Sequence, residues 1–145
     1  LHKRILLLLS SSSVSGSNSL DYAEEVIHEF FGDTKRVLFF PYALADRASY
    51  FARVEERLGR MGYKVEAIHE ASSPAAAIEK AEAVFVGGGN TFRLLKTMYD
   101  LDLLGILRDR VEAGAAYLGS SAGSNLACPT ICTTNDMPIV EPPSF

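Results

Sequence analysis

Short apolar runs recur along the chain at residues 5–9, 37–40, 65–68, 83–86 and 115–118, all unbroken but the third, which contains Glu66. Unbroken apolarity, in place of strict alternation, is what strands need when helices cover both faces of their sheet. Between the first two runs, Leu20, Ala23, Val26, Ile27, Phe30 and Phe31 recur at steps of three and four, while Asp21, Glu24, Glu25 and Glu29 fall largely elsewhere, which predicts an amphipathic helix. Tyr50, Phe51, Val54 and Leu58 repeat the pattern after the second run, with Gly59 and Gly62 where a helix end and turn would need them. Further helices are predicted over about 91–98 and 103–111, and a short one over 124–127.

Parallel strands must be joined by crossovers, so alternating strands and helices predict an α/β domain: a doubly wound, mainly parallel sheet with helices on both faces. Residues 1–145 form one such domain with no internal repeat or linker. The run at 5–9 reads as a buried first strand, because five apolar residues after Lys3-Arg4 fall short of a signal peptide's seven or more. Ligands in such sheets bind beyond the carboxyl ends of the strands. That points to three segments, 10–16, 87–91 and 119–125, the first of which opens with Ser10-Ser11-Ser12-Ser13 as a solvated loop or a wall of the site.

Composition narrows the function. With 48% hydrophobic and 22% charged residues the chain can bury a core. A formal net charge of -4, with fourteen scattered Lys and Arg, gives no attraction to nucleic acid or anionic membrane, and no run approaches the length that crosses a bilayer. Cys128 and Cys132 are too few for a disulfide framework and lack the neighbours of a zinc site, so they are expected as free thiols. No metal and no organic cofactor is implied. The chain begins without Met and stops at Pro142-Pro143-Ser144-Phe145, and the expectation is the N-terminal part of a longer domain.

Gly119-Ser120-Ser121-Ala122-Gly123 matches Gly-x-Ser-x-Gly directly after a predicted strand and before a predicted helix. In that context small neighbours permit a tight turn that projects the Ser121 hydroxyl outward, making it the candidate nucleophile. The Ala122 N–H at the start of the helix would face a developing oxyanion. Gly87-Gly88-Gly89-Asn90-Thr91 follows the fourth strand, and its bare backbone at Gly88 and Gly89 could supply the second donor. A phosphate loop is disfavoured because Phe92 stands where Gly-x-Gly-x-x-Gly needs its third glycine; a helix-capping turn at Asn90 or Thr91 fits either function. The base is the weak point. His2 precedes the first strand, His28 lies in a helix, and His69 follows the third strand as a distant candidate.

These stretches, with Ser124-Asn125-Leu126-Ala127-Cys128-Pro129-Thr130 and Thr133-Thr134-Asn135-Asp136-Met137-Pro138-Ile139-Val140, resemble the signature segments of the peptidase E family. Ala76-Ala77-Ile78-Glu79-Lys80-Ala81-Glu82 fits the same family more loosely. The resemblance implies a cytoplasmic serine exopeptidase, of the flavodoxin-like fold shared with class I glutamine amidotransferases, acting on dipeptides with an amino-terminal aspartate. It makes Ser121 the nucleophile, puts Gly88, Gly89 and Ala122 at the oxyanion hole, and matches Asp136 to an aspartate proposed for the charge relay. A later carboxylate competes for that role, and a turn residue is the plainer account of Asp136. The family's histidine lies downstream of everything present here. An aspartyl side chain also needs a cationic pocket, with Arg47, Arg93 or residues past Phe145 as sources. A cyanophycinase-like peptidase and a non-catalytic flavodoxin-like binding module are the rival readings.

Overall fold

The computed structural model describes residues 4–13, 15–16 and 18–139. His2 and the closing 140–145 stretch lie outside the described residues. Five strands, β1 (Ile5–Leu9), β2 (Arg36–Phe40), β3 (Lys64–Ala67), β4 (Ala83–Val86) and β5 (Ala116–Ser120), form one sheet in the order β1-β5-β4-β2-β3 with every neighbouring pair parallel. The connections are α1 (Glu24–Phe31, entered through a 3-10 turn at Asp21–Ala23), α2 (Arg47–Arg60), α3 (Pro74–Lys80), then α4 (Thr91–Asp100) and α5 (Leu104–Glu112), with α6 (Ala122–Leu126) following β5.

Strand side chains alternate between two cores, as the period of two requires. Val37 and Phe39 of β2, Phe85 of β4 and Leu118 of β5 pack with Ile27, Phe31, Val54 and Leu58 from α1 and α2. Leu38 and Phe40, Val84 and Val86, and Tyr117 pack with Ile78, Leu94, Met98, Leu107 and Val111 from α3, α4 and α5. Both faces are therefore covered, which explains why the central runs are apolar at every position.

β1 departs from its expectation. It stands at the end of the sheet with β5 as its neighbour, and Ile5, Leu6 and Leu8 are 44, 38 and 41% exposed. Leu7 and Leu9 reach the α1/α2 core, whereas Leu6 lines an open groove of about 520 Å³ beside Leu107, Tyr117 and Leu126. It is a strand, as read, but an exposed edge in place of a buried one.

Helix starts follow local chemistry. Asp46 Oδ1 accepts from Ser49 N at 3.0 Å to open α2, and Asn90 Oδ1 accepts from Arg93 N at 3.0 Å to open α4. Ser73 caps α3 with Pro74 in its first turn, a start signal that the apolar periodicity passed over. No helix among the described residues is long and apolar enough to cross a membrane.

Candidate active site

Since β5 lies between β1 and β4, the segments leaving these three strands meet at one end of the sheet. Ser121 joins β5 to α6 with φ 50 and ψ −108, a conformation that a side-chain-bearing residue holds only when its surroundings enforce it. Here they do. Ser121 N donates to Leu9 O at 2.9 Å, and Ser124 Oγ donates to the same oxygen at 2.7 Å, tying the turn to the end of β1. Ser124 N and Asn125 N donate back to Ser121 O at 2.9 and 3.0 Å.

The two glycines of the motif are close-packing requirements. A Cβ on Gly123 would lie 2.0 Å from Val86 O, and one on Gly119 would lie 2.8 Å from Gly123 O. Either would push α6 off the sheet and open the turn. Buried Tyr117 locks the same contact by donating its hydroxyl to Gly123 O at 2.6 Å; burial, with a smaller contribution from Cys128, raises its pKa and keeps the proton on it. The adjacent serines separate cleanly: Ser120 is fully buried and its hydroxyl has no partner among the described residues, whereas Ser121 is half-buried at the mouth.

The glycine loop comes to the same place. A Cβ on Gly88 would stand 3.2 Å from Ser121 Cβ and from Ser120 O, close enough that the nucleophile turn would have to give by a few tenths of an ångström. Gly89, at φ 141, backs onto Ala43, whose carbonyl oxygen would be 2.5 Å from an added Cβ. Tyr50 of α2 presses its hydroxyl against Gly87, the distance to an added Cβ being 2.4 Å; burial raises its pKa, against smaller opposing effects of the Gly88 N–H and Arg53. Ala122 is the first residue of α6, and first-turn N–H groups of a helix have no acceptor within it. Ser121, Gly88, Gly89 and Ala122 are thus brought together.

Asp136 is held at the start of α4: its Oδ2 accepts from Thr91 N at 2.7 Å, and its N donates to Thr134 Oγ1 at 3.2 Å. The Thr91 side chain, then the Thr91 N–H and Thr134, lower its pKa against partial burial. Sequence reasoning did not foresee the part played by Thr91, which is fully buried and accepts from Asn125 Nδ2 at 3.1 Å. A Thr at a helix start gives no sign of being a hub until the segments around it are assembled.

Neither described histidine reaches Ser121. His28 stacks on Tyr63, taking part in a 2.9 Å hydrogen bond between its Nδ1 and the Tyr63 hydroxyl, at the end of the sheet where β3 begins. His69 follows β3, three strand positions from β5, or roughly 14 Å at about 4.8 Å per strand. Its ring lies 6.2 Å from that of Phe51 of α2. Arg47 stacks 4.8 Å over the Tyr42 ring, and neither Arg47 nor Arg93 has a carboxylate partner among the described residues. The groove beside β1 does not include Ser121.

The model of peptidase family S51 matches residues 6–145. The chain belongs to peptidase family S51. Curated relatives include peptidase E of Streptomyces coelicolor, 49% identical over 97% of this chain, and peptidase E of Salmonella paratyphi A, 47% identical over 97%. A Drosophila melanogaster protein named "Probable alpha-aspartyl dipeptidase" is 46% identical over 98%. This S51 chain spans 58, 62 and 60% of the length of those three proteins. A crystal structure from Listeria monocytogenes EGD-e, of a protein provisionally named peptidase E, superposes with a TM-score of 0.72 at 26% identity, covering 89% of this chain and 64% of that one. Membership of peptidase family S51 and the α/β sheet are therefore established.

Proposed function

We propose that the S51 polypeptide carrying this chain is a serine exopeptidase that hydrolyses dipeptides with an amino-terminal aspartate through an acyl-enzyme on Ser121. The observation that carries the reading is the strained Ser121 turn facing the side-chain-free backbone at Gly88. It supports attack by Ser121 Oγ on a peptide carbonyl whose oxygen, on becoming an oxyanion, is held between N–H groups of the Gly88-Gly89 loop and Ala122. The hydroxyl proton passes to a histidine that the family resemblance puts downstream of residue 145, and is returned to the departing amine. No cofactor is needed, and the partner is a small acidic peptide, with no nucleic acid or membrane involved. A cytoplasmic location suits that substrate.

Selectivity for aspartate requires a cation at the mouth. Arg47 and Arg93 stand in the first turns of α2 and α4 without a carboxylate partner among the described residues, which leaves them available for that role. The names of the relatives favour the aspartyl substrate over a cyanophycinase-like one.

The test is leucine release from Asp-Leu beside Ala-Leu. Turnover of Asp-Leu with Ala-Leu slower by about 100-fold or more is expected, since the neutral substrate leaves the cation of the pocket without its partner. Equal rates would overturn the specificity. The 145-residue chain alone should turn over at a small fraction of the rate of a polypeptide with the histidine, retaining at most roughly 10³ to 10⁴ over water.

A further inference from the structure

The oxyanion hole proposed above has an unusual weakness: one side of it is built from Gly87-Gly88-Gly89. Three glycines in a row have no side chains to lock them and the largest backbone freedom of any residues. Yet an N–H must sit within about 2.7–3.1 Å of the oxyanion, and a misplacement of about 1 Å costs on the order of 100-fold. Precision must come from its surroundings: at the entry Gly87 N donates to Phe40 O at 3.2 Å and Tyr50 packs on Gly87, and the other end is held by the residues at the exit.

Those residues are held by a set of ties centred on Thr91. Its N–H donates to Asp136 Oδ2 at 2.7 Å, and its hydroxyl oxygen accepts from Asn125 Nδ2 at 3.1 Å and from Thr134 Oγ1 at 3.2 Å. Asn125 carries the link onward, because its own N–H donates to Ser121 O at 3.0 Å. One residue earlier, Asn90 Nδ2 donates to Met137 O at 2.7 Å and Asn90 N to Ala43 O at 2.9 Å. The glycine loop is thereby fixed at its exit to α6, to the 134–137 segment and to the turn that follows β2, and the bond from Asn125 measures the loop against the nucleophile turn itself.

We propose that Thr91, Asn125 and Asp136 are positioning residues that set the separation between the Gly88-Gly89 loop and Ser121, with Asp136 acting through the Thr91 N–H. This rests on Ser121 being the nucleophile, and it gives Asp136 a task that requires its acceptor oxygen and not its contact with the base. The geometry orders the variants. Thr91→Val keeps the N–H for Asp136 but removes the hydroxyl that accepts from Asn125 and Thr134 and that also favours the Asp136 carboxylate; Thr91→Ser keeps both. Asp136→Asn retains an oxygen for the Thr91 N–H, and Asp136→Ala does not.

The experiment measures kcat and KM for Asp-Leu in the S51 polypeptide that contains the histidine, with melting temperatures in parallel. Thr91→Val should lower kcat by roughly 10- to 100-fold with KM within about threefold, and Thr91→Ser should restore most of the loss. Asp136→Asn should lose less than Asp136→Ala and leave the shape of the pH–rate profile unchanged. Wild-type kcat in Thr91→Val, or no rescue by Thr91→Ser, would overturn the proposal. So would Asp136→Asn falling to the level of Ser121→Ala at an unchanged melting temperature, which would place the carboxylate's charge in the reaction. Activity that survives Ser121→Ala would remove the nucleophile assignment instead. Amide exchange at Gly88 and Gly89 in the 145-residue chain reads the tie without turnover: it should quicken in Thr91→Val and not in Thr91→Ser, and exchange unchanged by Thr91→Val would contradict it.

Discussion

β1 and β4 are both apolar at every position, Ile-Leu-Leu-Leu-Leu and Ala-Val-Phe-Val, and have opposite fates. All four residues of β4 are buried between two layers of helices, while β1 has one neighbour among the described residues and three residues more than a third exposed. Apolar composition makes a strand, and its position in the sheet order decides what the strand is for. β4 is the rigid wall against which Gly123 and the glycine loop are set; the end of β1 contributes a single backbone oxygen, Leu9 O, to the Ser121 turn. An exposed apolar edge is also an invitation to pair with another chain.

The sharpest way to break this contrast is truncation. Phe85→Ala in β4, at 1% exposure and in contact with Phe39, should lower the unfolding free energy by about 3–5 kcal/mol in a urea titration. Leu8→Ala in β1, 41% exposed, should cost about 1 kcal/mol or less. Similar losses at the two sites would remove the distinction. Gly123→Ala comes between them, at about 1–3 kcal/mol, because its Cβ meets backbone of β4 that cannot yield. Leu8→Lys should leave stability within about 0.5 kcal/mol and reduce self-association of the 145-residue chain in sedimentation, since a lysine on an edge strand discourages pairing. An unchanged oligomer distribution would show that β1 is not the associating edge.

The smallest effect concerns acid. Asp136 has a depressed pKa, so its contribution to stability is present above its unfolded value near 3.9, and is lost as pH falls through the folded value. Stability of the wild type minus that of Asp136→Asn should therefore shrink below about pH 4 and hold steady above pH 6. A difference that grows on acidification would reverse the sign and contradict the role of Thr91 in holding the carboxylate.

Much of this was legible in the sequence, and the exceptions share a cause. The five strands lay in the apolar runs, and for β2, β4 and β5 burial on both faces is what makes the run continuous. The juxtaposition of Gly88 with Ser121 followed from both segments leaving strands at their carboxyl ends. Sheet order was not legible: Leu6 and Leu8 look as buried as Val84 and Val86 until the neighbours of β1 are known. α3 was missed because Pro74 to Lys80 has a short apolar pattern, although Ser73-Pro74 announces it. The Thr91 ties were hidden for a deeper reason. Thr91, Asn125, Thr134 and Asp136 are polar residues whose partners lie 34 to 45 positions away from Thr91, and no local periodicity encodes such pairings.

The central claim is that chemistry at this site runs through the hydroxyl of Ser121. Ser120 supplies the control, being the same residue type one position earlier with its side chain sealed from the mouth. The most direct measurement is the rate of Asp-Leu hydrolysis by Ser121→Ala and by Ser120→Ala, each made in the polypeptide that carries the histidine. The account predicts a fall of at least about 10³-fold for Ser121→Ala and a rate within a fewfold of wild type for Ser120→Ala. Near-normal turnover without the Ser121 hydroxyl would contradict it.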